Sequence, residues 1–188
     1  WRESQCGMRH IPLLLAFCAV PFIESDAMAE PPACARITHL SDRYTVCIFD
    51  PAKDAIRLYG AATLGAGGAT YDRLRTHLLR NQEYTVFAVN GGMYHPGYRP
   101  VGLLVESGRE TGALNRKDGF GNFFLKPNGV FWIGDGRAGV TETEAYVRTG
   151  LSPRQATQSG PMLVTGGEIH PRFLPGGTPL KPGARLVQ

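Results

Sequence analysis

Several familiar chemical signatures are missing from this chain. It contains no H-E-x-x-H and no Cys-x-x-Cys spelling, so a zinc site has little support. It also lacks a G-x-S-x-G elbow, which argues against an acylating serine. Charge is sparse: 19% of residues are Asp, Glu, Lys or Arg, and the 20 basic residues are scattered rather than striped. That distribution excludes a nucleic-acid footprint and leaves a mild attraction for anions, consistent with a net charge of +4. The apolar run Ile11–Val20 falls short of the roughly 20 residues a bilayer-spanning helix needs, so stable membrane insertion is not expected. With 188 residues there is polypeptide for one domain and not for a large assembly of them. Glycine and proline are plentiful instead, 24 and 14, which calls for many turns and short elements and argues against a helical bundle.

The N-terminal stretch has the layout of an export signal. Met8 opens a short basic region (Arg9, His10), Ile11–Val20 is apolar, and Ala27-Met28-Ala29 spells an A-x-A cleavage site before Glu30. We expect residues 1–29 to be leader and signal peptide, residues 1–7 preceding the first methionine. Bulky Phe17 ahead of Cys18 argues against a lipid anchor. The remainder, residues 30–188, is expected to be one incomplete domain, periplasmic or secreted. It keeps two cysteines, Cys34 and Cys47, which an oxidising compartment would pair. A buried strand thiol at Cys47 is the alternative.

Along the chain, Tyr44–Phe49 and Ile56–Tyr59 read as a hairpin around Asp50-Pro51. Thr70 can cap a helix from about Tyr71 to Asn81, with Leu74 and Leu78 on one face. Tyr84–Val89 is rich in β-branched and aromatic residues and reads as a central strand ending at Asn90-Gly91-Gly92. Strands are further expected at Val101–Glu106, Asn122–Leu125 and Val130–Ile133, with turns at Ser107-Gly108 and Asn128-Gly129. Thr141 and Glu144 spell a capping box for a short helix to about Val147. A last hairpin turns at Gly166-Gly167. The composite is α+β, a single domain with a mostly antiparallel, mixed sheet and few helices. Arg185-Leu186-Val187-Gln188 looks like the opening of a further strand, as a C-terminally truncated domain would show.

Three segments could carry chemistry. Asn90-Gly91-Gly92-Met93-Tyr94 follows an apolar run, and its glycines allow successive N–H groups to converge on an anion; a tight turn is the competing reading. Ser159-Gly160-Pro161 offers a hydroxyl and an open backbone. Asn115-Arg116-Lys117-Asp118-Gly119 packs two cations and a carboxamide into one loop, suited either to a phosphate or to a solvated turn. His95 and His170 both precede proline and read as loop residues. Among Glu106, Glu110, Asp118, Asp135 and Glu168, spacing does not single out an acid or base, and Asp135 reads as a turn residue.

Taken in order, FAVNGGMY (87–94), Pro100-x-Gly102 with LLVESGR, LNRKDGFGNFFLKPNGVFW (114–132) and ATQSGPMLVTGGEIHPRF (156–173) make the chain resemble the phosphodiester glycosidase family. That family is typified by the animal enzyme that removes N-acetylglucosamine from a mannose-6-phosphate diester, and the likeness here is to the exported bacterial branch. The resemblance spans roughly residues 44–188. It implies hydrolysis of a sugar-1-phosphodiester, hence a carbohydrate or glycan phosphodiester as partner and no nucleic acid. Asn90 and Ser159 become candidate catalytic residues, and Gly91, Gly92, Tyr94, Asn115, Arg116, Lys117 and Gly160 candidate substrate contacts. No cofactor is expected, a divalent cation being left open. A non-catalytic envelope glycan-binding module and a metal-dependent phosphodiesterase are the competing classes.

Overall fold

The computed structural model describes residues 33–65 and 67–175. The expected signal peptide, Cys6, Cys18 and the expected strand at Arg185–Gln188 lie outside the described residues.

The fold is α+β, and every strand pairing among the described residues is antiparallel. β1 (Ala33–His39) and β2 (Asp42–Ile48) form a separate hairpin whose two-residue turn, Leu40-Ser41, has φ of 46° and 68°. This replaces the expected pairing of Tyr44–Phe49 with Ile56–Tyr59. Cys34 and Cys47 face each other in register and are joined by the expected disulfide.

The segment after β2 stays irregular. Leu58 N–H donates to the Gln155 side chain at 3.0 Å and Gly60 N–H to Glu106 at 2.7 Å, so side chains rather than a strand satisfy that backbone. A short helix α1 (Ala61–Leu64) leads to α2 (Tyr71–Arg80), which Thr70 caps through the Arg73 N–H as its sequence predicts. Leu78 is the buried residue of α2.

The five-stranded sheet has the order β4-β3-β7-β5-β6. β3 (Leu104–Glu106) and β4 (Arg109–Gly112) turn at Ser107-Gly108, while β5 (Gly129–Gly134) and β6 (Arg137–Glu142) turn at Asp135-Gly136. Both turns have positive φ at both residues, as type I′ geometry requires. α3 (Thr143–Thr149) then packs on β5 and β6. Its cap is Glu142, which accepts from Glu144 and Ala145 N–H at 3.0 and 2.8 Å. The expected cap, Thr141, instead accepts from the Trp132 indole at 2.9 Å. Leu103, Val105, Val130, Tyr146 and Ala156 form the core, with Leu114 and Trp132 packed against it. Val130 and Ala156 are fully buried.

β7 (Gln155–Ser159) lies at the centre of this sheet, where the sequence reading expected no strand. Its residues are polar, yet Gln155, Thr157 and Gln158 are all buried. Two other expected strands are absent. Asn122–Phe124 forms a 3-10 turn that buries Phe123. Tyr84–Val89 has no strand partner among the described residues, and Tyr84, Val86, Phe87 and Val89 are exposed. Without a partner ladder, β propensity alone does not make a strand. β8 (Val164–Thr165) and β9 (Glu168–Ile169) form the last hairpin around Gly166-Gly167, as expected.

Candidate functional site

The four segments singled out in the sequence meet at the C-terminal end of β7. Gln158, only 1% exposed, is the centre. Its side-chain oxygen accepts from Leu103 N–H at 3.1 Å and Asn115 N–H at 2.9 Å. Its side-chain nitrogen donates to the Asn115 carbonyl at 2.8 Å and to the Thr143 hydroxyl at 3.2 Å. One carboxamide therefore ties β3, the loop at 115–119 and α3 to the central strand. Buried and fully partnered, such a group fixes geometry more than an apolar residue would.

Side chains alternate along a strand, so Thr157 and Ser159 share the face opposite Gln158. Gly92 lies on Thr157: a methyl group in place of its hydrogen would stand 2.5 Å from the Thr157 hydroxyl and 3.5 Å from the Gln158 carbonyl. A side chain there would clash, which is a physical reason for glycine at 92. Gly91 lies against Leu58, at 3.2 Å by the same measure. Asn90 is half-buried and Ser159 is half-buried. Neither side chain has a hydrogen-bond partner among the described residues, so both polar groups are available. Gly160 is walled in by the Phe123 carbonyl and Asn128, and the turn closes with Met162 N–H on the Pro127 carbonyl at 2.8 Å.

From Gly92 the chain runs into a small loop. Val101 N–H returns to the Met93 carbonyl at 3.0 Å and His95 N–H to the Arg99 carbonyl at 2.8 Å. Tyr94 bridges Pro100, and its ring stacks on Tyr98 with centroids 5.4 Å apart. Asn115 reaches this loop from the other side, donating from its side chain to the Val101 carbonyl at 2.9 Å.

The charged loop is stapled at several points. Asn115 also accepts from Lys117 N–H at 3.1 Å, so both ends of its side chain are engaged within the loop. Arg116 forks onto Glu144 of α3, which holds the Glu144 carboxyl below its ordinary range. Lys126 meets Asp118 at 2.7 Å and lowers that carboxyl likewise. Lys117 is exposed and has no charged partner among the described residues.

The remaining candidates serve structure. Glu106 is buried and accepts from Gly60 N–H and the Thr111 hydroxyl. Asp135 is the turn residue expected, and Glu110 and Glu168 are exposed. His170 Nδ1 accepts from Arg172 N–H, leaving Nε2 to donate to the Lys126 carbonyl at 3.2 Å. Among the described residues no three His, Cys, Asp or Glu side chains group as metal ligands. Two hollows of about 340 and 330 Å³ flank α2, and neither includes a residue of the glycine segments. Sequence reasoning missed Gln158 and Thr157; their one signal was their place beside Ser159 in the fourth motif.

A family model described as phosphodiester glycosidase matches residues 83–184. The chain is 33% identical over 170 residues to the uncharacterized protein YigE of Escherichia coli, covering 90% of this chain and 65% of that relative's length. No solved structure matches the chain.

Proposed function

Because the chain belongs to the phosphodiester glycosidase family, we propose that it hydrolyses a sugar-1-phosphodiester of an envelope or extracellular glycan, at the end of β7. The observation that carries this placement is the seat of Gly92 against Thr157 and Gln158, which brings the Asn90–Gly92 segment beside Ser159.

Cleavage at the sugar carbon releases free sugar and a phosphomonoester. Phosphate is a weaker base than a sugar alkoxide, so the departing group needs stabilisation of negative charge more than a strong acid. In this reading the Gly91 and Gly92 N–H groups and Lys117 supply that stabilisation. Asn90 and Ser159, whose side chains are otherwise unpartnered, orient the reacting oxygens, and Gly160 leaves their surroundings open. Arg116 contributes to the extent that Glu144 releases it. Asn115 acts by holding the loop in shape. The Cys34–Cys47 disulfide supports export to the periplasm or beyond, where such bonds persist.

The test is turnover of the methyl phosphodiester of a sugar 1-phosphate in ¹⁸O-labelled water. Label in the sugar is the expected result. Label in the phosphate would instead indicate a phosphodiesterase, and binding without turnover a glycan-binding module. Asn90→Ala is expected to lower the rate at least tenfold, and unchanged turnover would remove Asn90 from the site.

A further inference from the structure

The loop that leaves Gly92 carries two aromatic rings stacked one above the other on the molecular surface. Tyr98 is the inner ring: it lies over buried Gly68, close enough that any side chain at 68 would collide with it. Tyr94 is the outer ring, 56% exposed, with an interplanar angle of 23° to Tyr98. Among the described residues Tyr98 is the sole ring against Tyr94.

The backbone is bent to achieve this. Pro96 and Gly97, the latter at φ 82°, form a turn closed by Tyr98 N–H on the His95 carbonyl at 3.0 Å. Tyr98 itself then sits at φ 62°, a region that bulky residues rarely adopt. Glycine or asparagine would occupy it with less strain. A tyrosine there gains its ring contacts and nothing locally from its backbone.

We propose that the outer face of Tyr94 is a carbohydrate-stacking platform for the pyranose ring of the phosphodiester, with Tyr98 as the positioning residue beneath it. This rests on the site placed above, since Tyr94 is two residues from Gly92 and its backbone amides. The chemistry suits a sugar in particular. One face of a pyranose presents C–H bonds, weakly positive, to the negative face of an aromatic ring, while its hydroxyls stay free for hydrogen bonds. The phosphate joined to that sugar would then fall toward the Gly91–Gly92 segment.

The test is saturation-transfer NMR with the methyl phosphodiester of α-glucose 1-phosphate, comparing sugar-ring protons with the phosphate methyl. Strong transfer to the ring protons is expected for the native chain, a loss of at least about threefold for Tyr94→Ala, and recovery in Tyr94→Phe, which keeps the ring. Tyr98→Asn separates positioning from folding, because asparagine tolerates φ 62°. It is expected to keep or raise the melting midpoint while weakening the ring-proton signal. Undiminished transfer in Tyr94→Ala, or transfer confined to the phosphate methyl in the native chain, overturns the platform. The fate of labelled water is read separately, so label in the phosphate would sink the glycosidase reading while leaving the platform standing.

Discussion

Gln158 grips Asn115 at both ends of that residue, accepting from its N–H at 2.9 Å and donating to its carbonyl at 2.8 Å. A leucine at 158 would fill similar volume but orphan Leu103 N–H, Asn115 N–H and the Asn115 carbonyl. Each stranded buried group costs about 1–3 kcal/mol, so Gln158→Leu is expected to lose about 3 kcal/mol or more. Chemical denaturation measures it, and a loss below about 1 kcal/mol would show the clamp to be dispensable.

Gly92→Ala places a methyl group 2.5 Å from the Thr157 hydroxyl. Overpacking of this kind costs about 1–3 kcal/mol. Thr157→Ala removes the obstructing atom, so the double variant is expected to be more stable than the sum of the two singles predicts, by at least about 0.5 kcal/mol. Strict additivity in that cycle would mean the two residues are not in contact.

The hairpin of β1 and β2 pairs only with itself and is largely exposed, and a lone hairpin is marginal in water. Its disulfide closes a loop of 13 residues in sequence, a constraint of about 3 kcal/mol in the chain-entropy picture. Reduction is expected to abolish amide protection in residues 33–48 while leaving the five-stranded sheet protected. Hydrogen exchange with and without reductant checks this; equal loss of protection in β5 and β7 would contradict it.

These elements also show how far the sequence could be read. Thr70, Ser107-Gly108 and Gly166-Gly167 announce themselves because caps and positive-φ turns are chosen by local chemistry. The cysteine pair was legible for a similar reason, being an even count in a chain with an export-like start. β7 was not. Pattern reading looks for apolar alternation, whereas Gln155 and Gln158 are buried because their carboxamides bond backbone that has no strand partner, at Leu58, Leu103 and Asn115. Tyr84–Val89 fails in the opposite sense: its composition asks for a sheet interior that the described residues do not provide. The motif segments were legible as places, while their convergence on one strand end depends on that unread strand.

The Arg116–Glu144 and Lys126–Asp118 pairs hold both carboxyls below their ordinary values. A depressed folded pKa contributes stability that is present above the unfolded value and lost as pH falls through the folded one. The loop at 115–119 is therefore expected to loosen on acidification below about pH 4, and to do so earlier in Glu144→Gln. Both pairs are exposed, so the effect is local and screened by salt. Carboxyl-carbon NMR titration checks the direction; ordinary or raised values at Glu144 and Asp118 would rule it out.

Tyr84, Val86 and Val89 expose 70%, 61% and 62% of their surface in a segment of high β propensity with no strand partner among the described residues. Phe87 is partly engaged, its ring 5.3 Å from that of Phe49. A run of this composition has unpaired backbone donors and acceptors as well as apolar side chains, so a second extended chain can satisfy both at once. The polypeptide is accordingly expected to self-associate as concentration rises. Val86→Lys with Val89→Lys introduces charge without opening a core cavity, because both side chains are already exposed. Light scattering across a concentration series is expected to fall in this variant while the melting midpoint stays within about 2 °C, since surface substitutions usually stay within about 0.5 kcal/mol. Unchanged scattering would show that the segment is not the adhesive surface, and a large drop in midpoint would show that it packs against the domain after all.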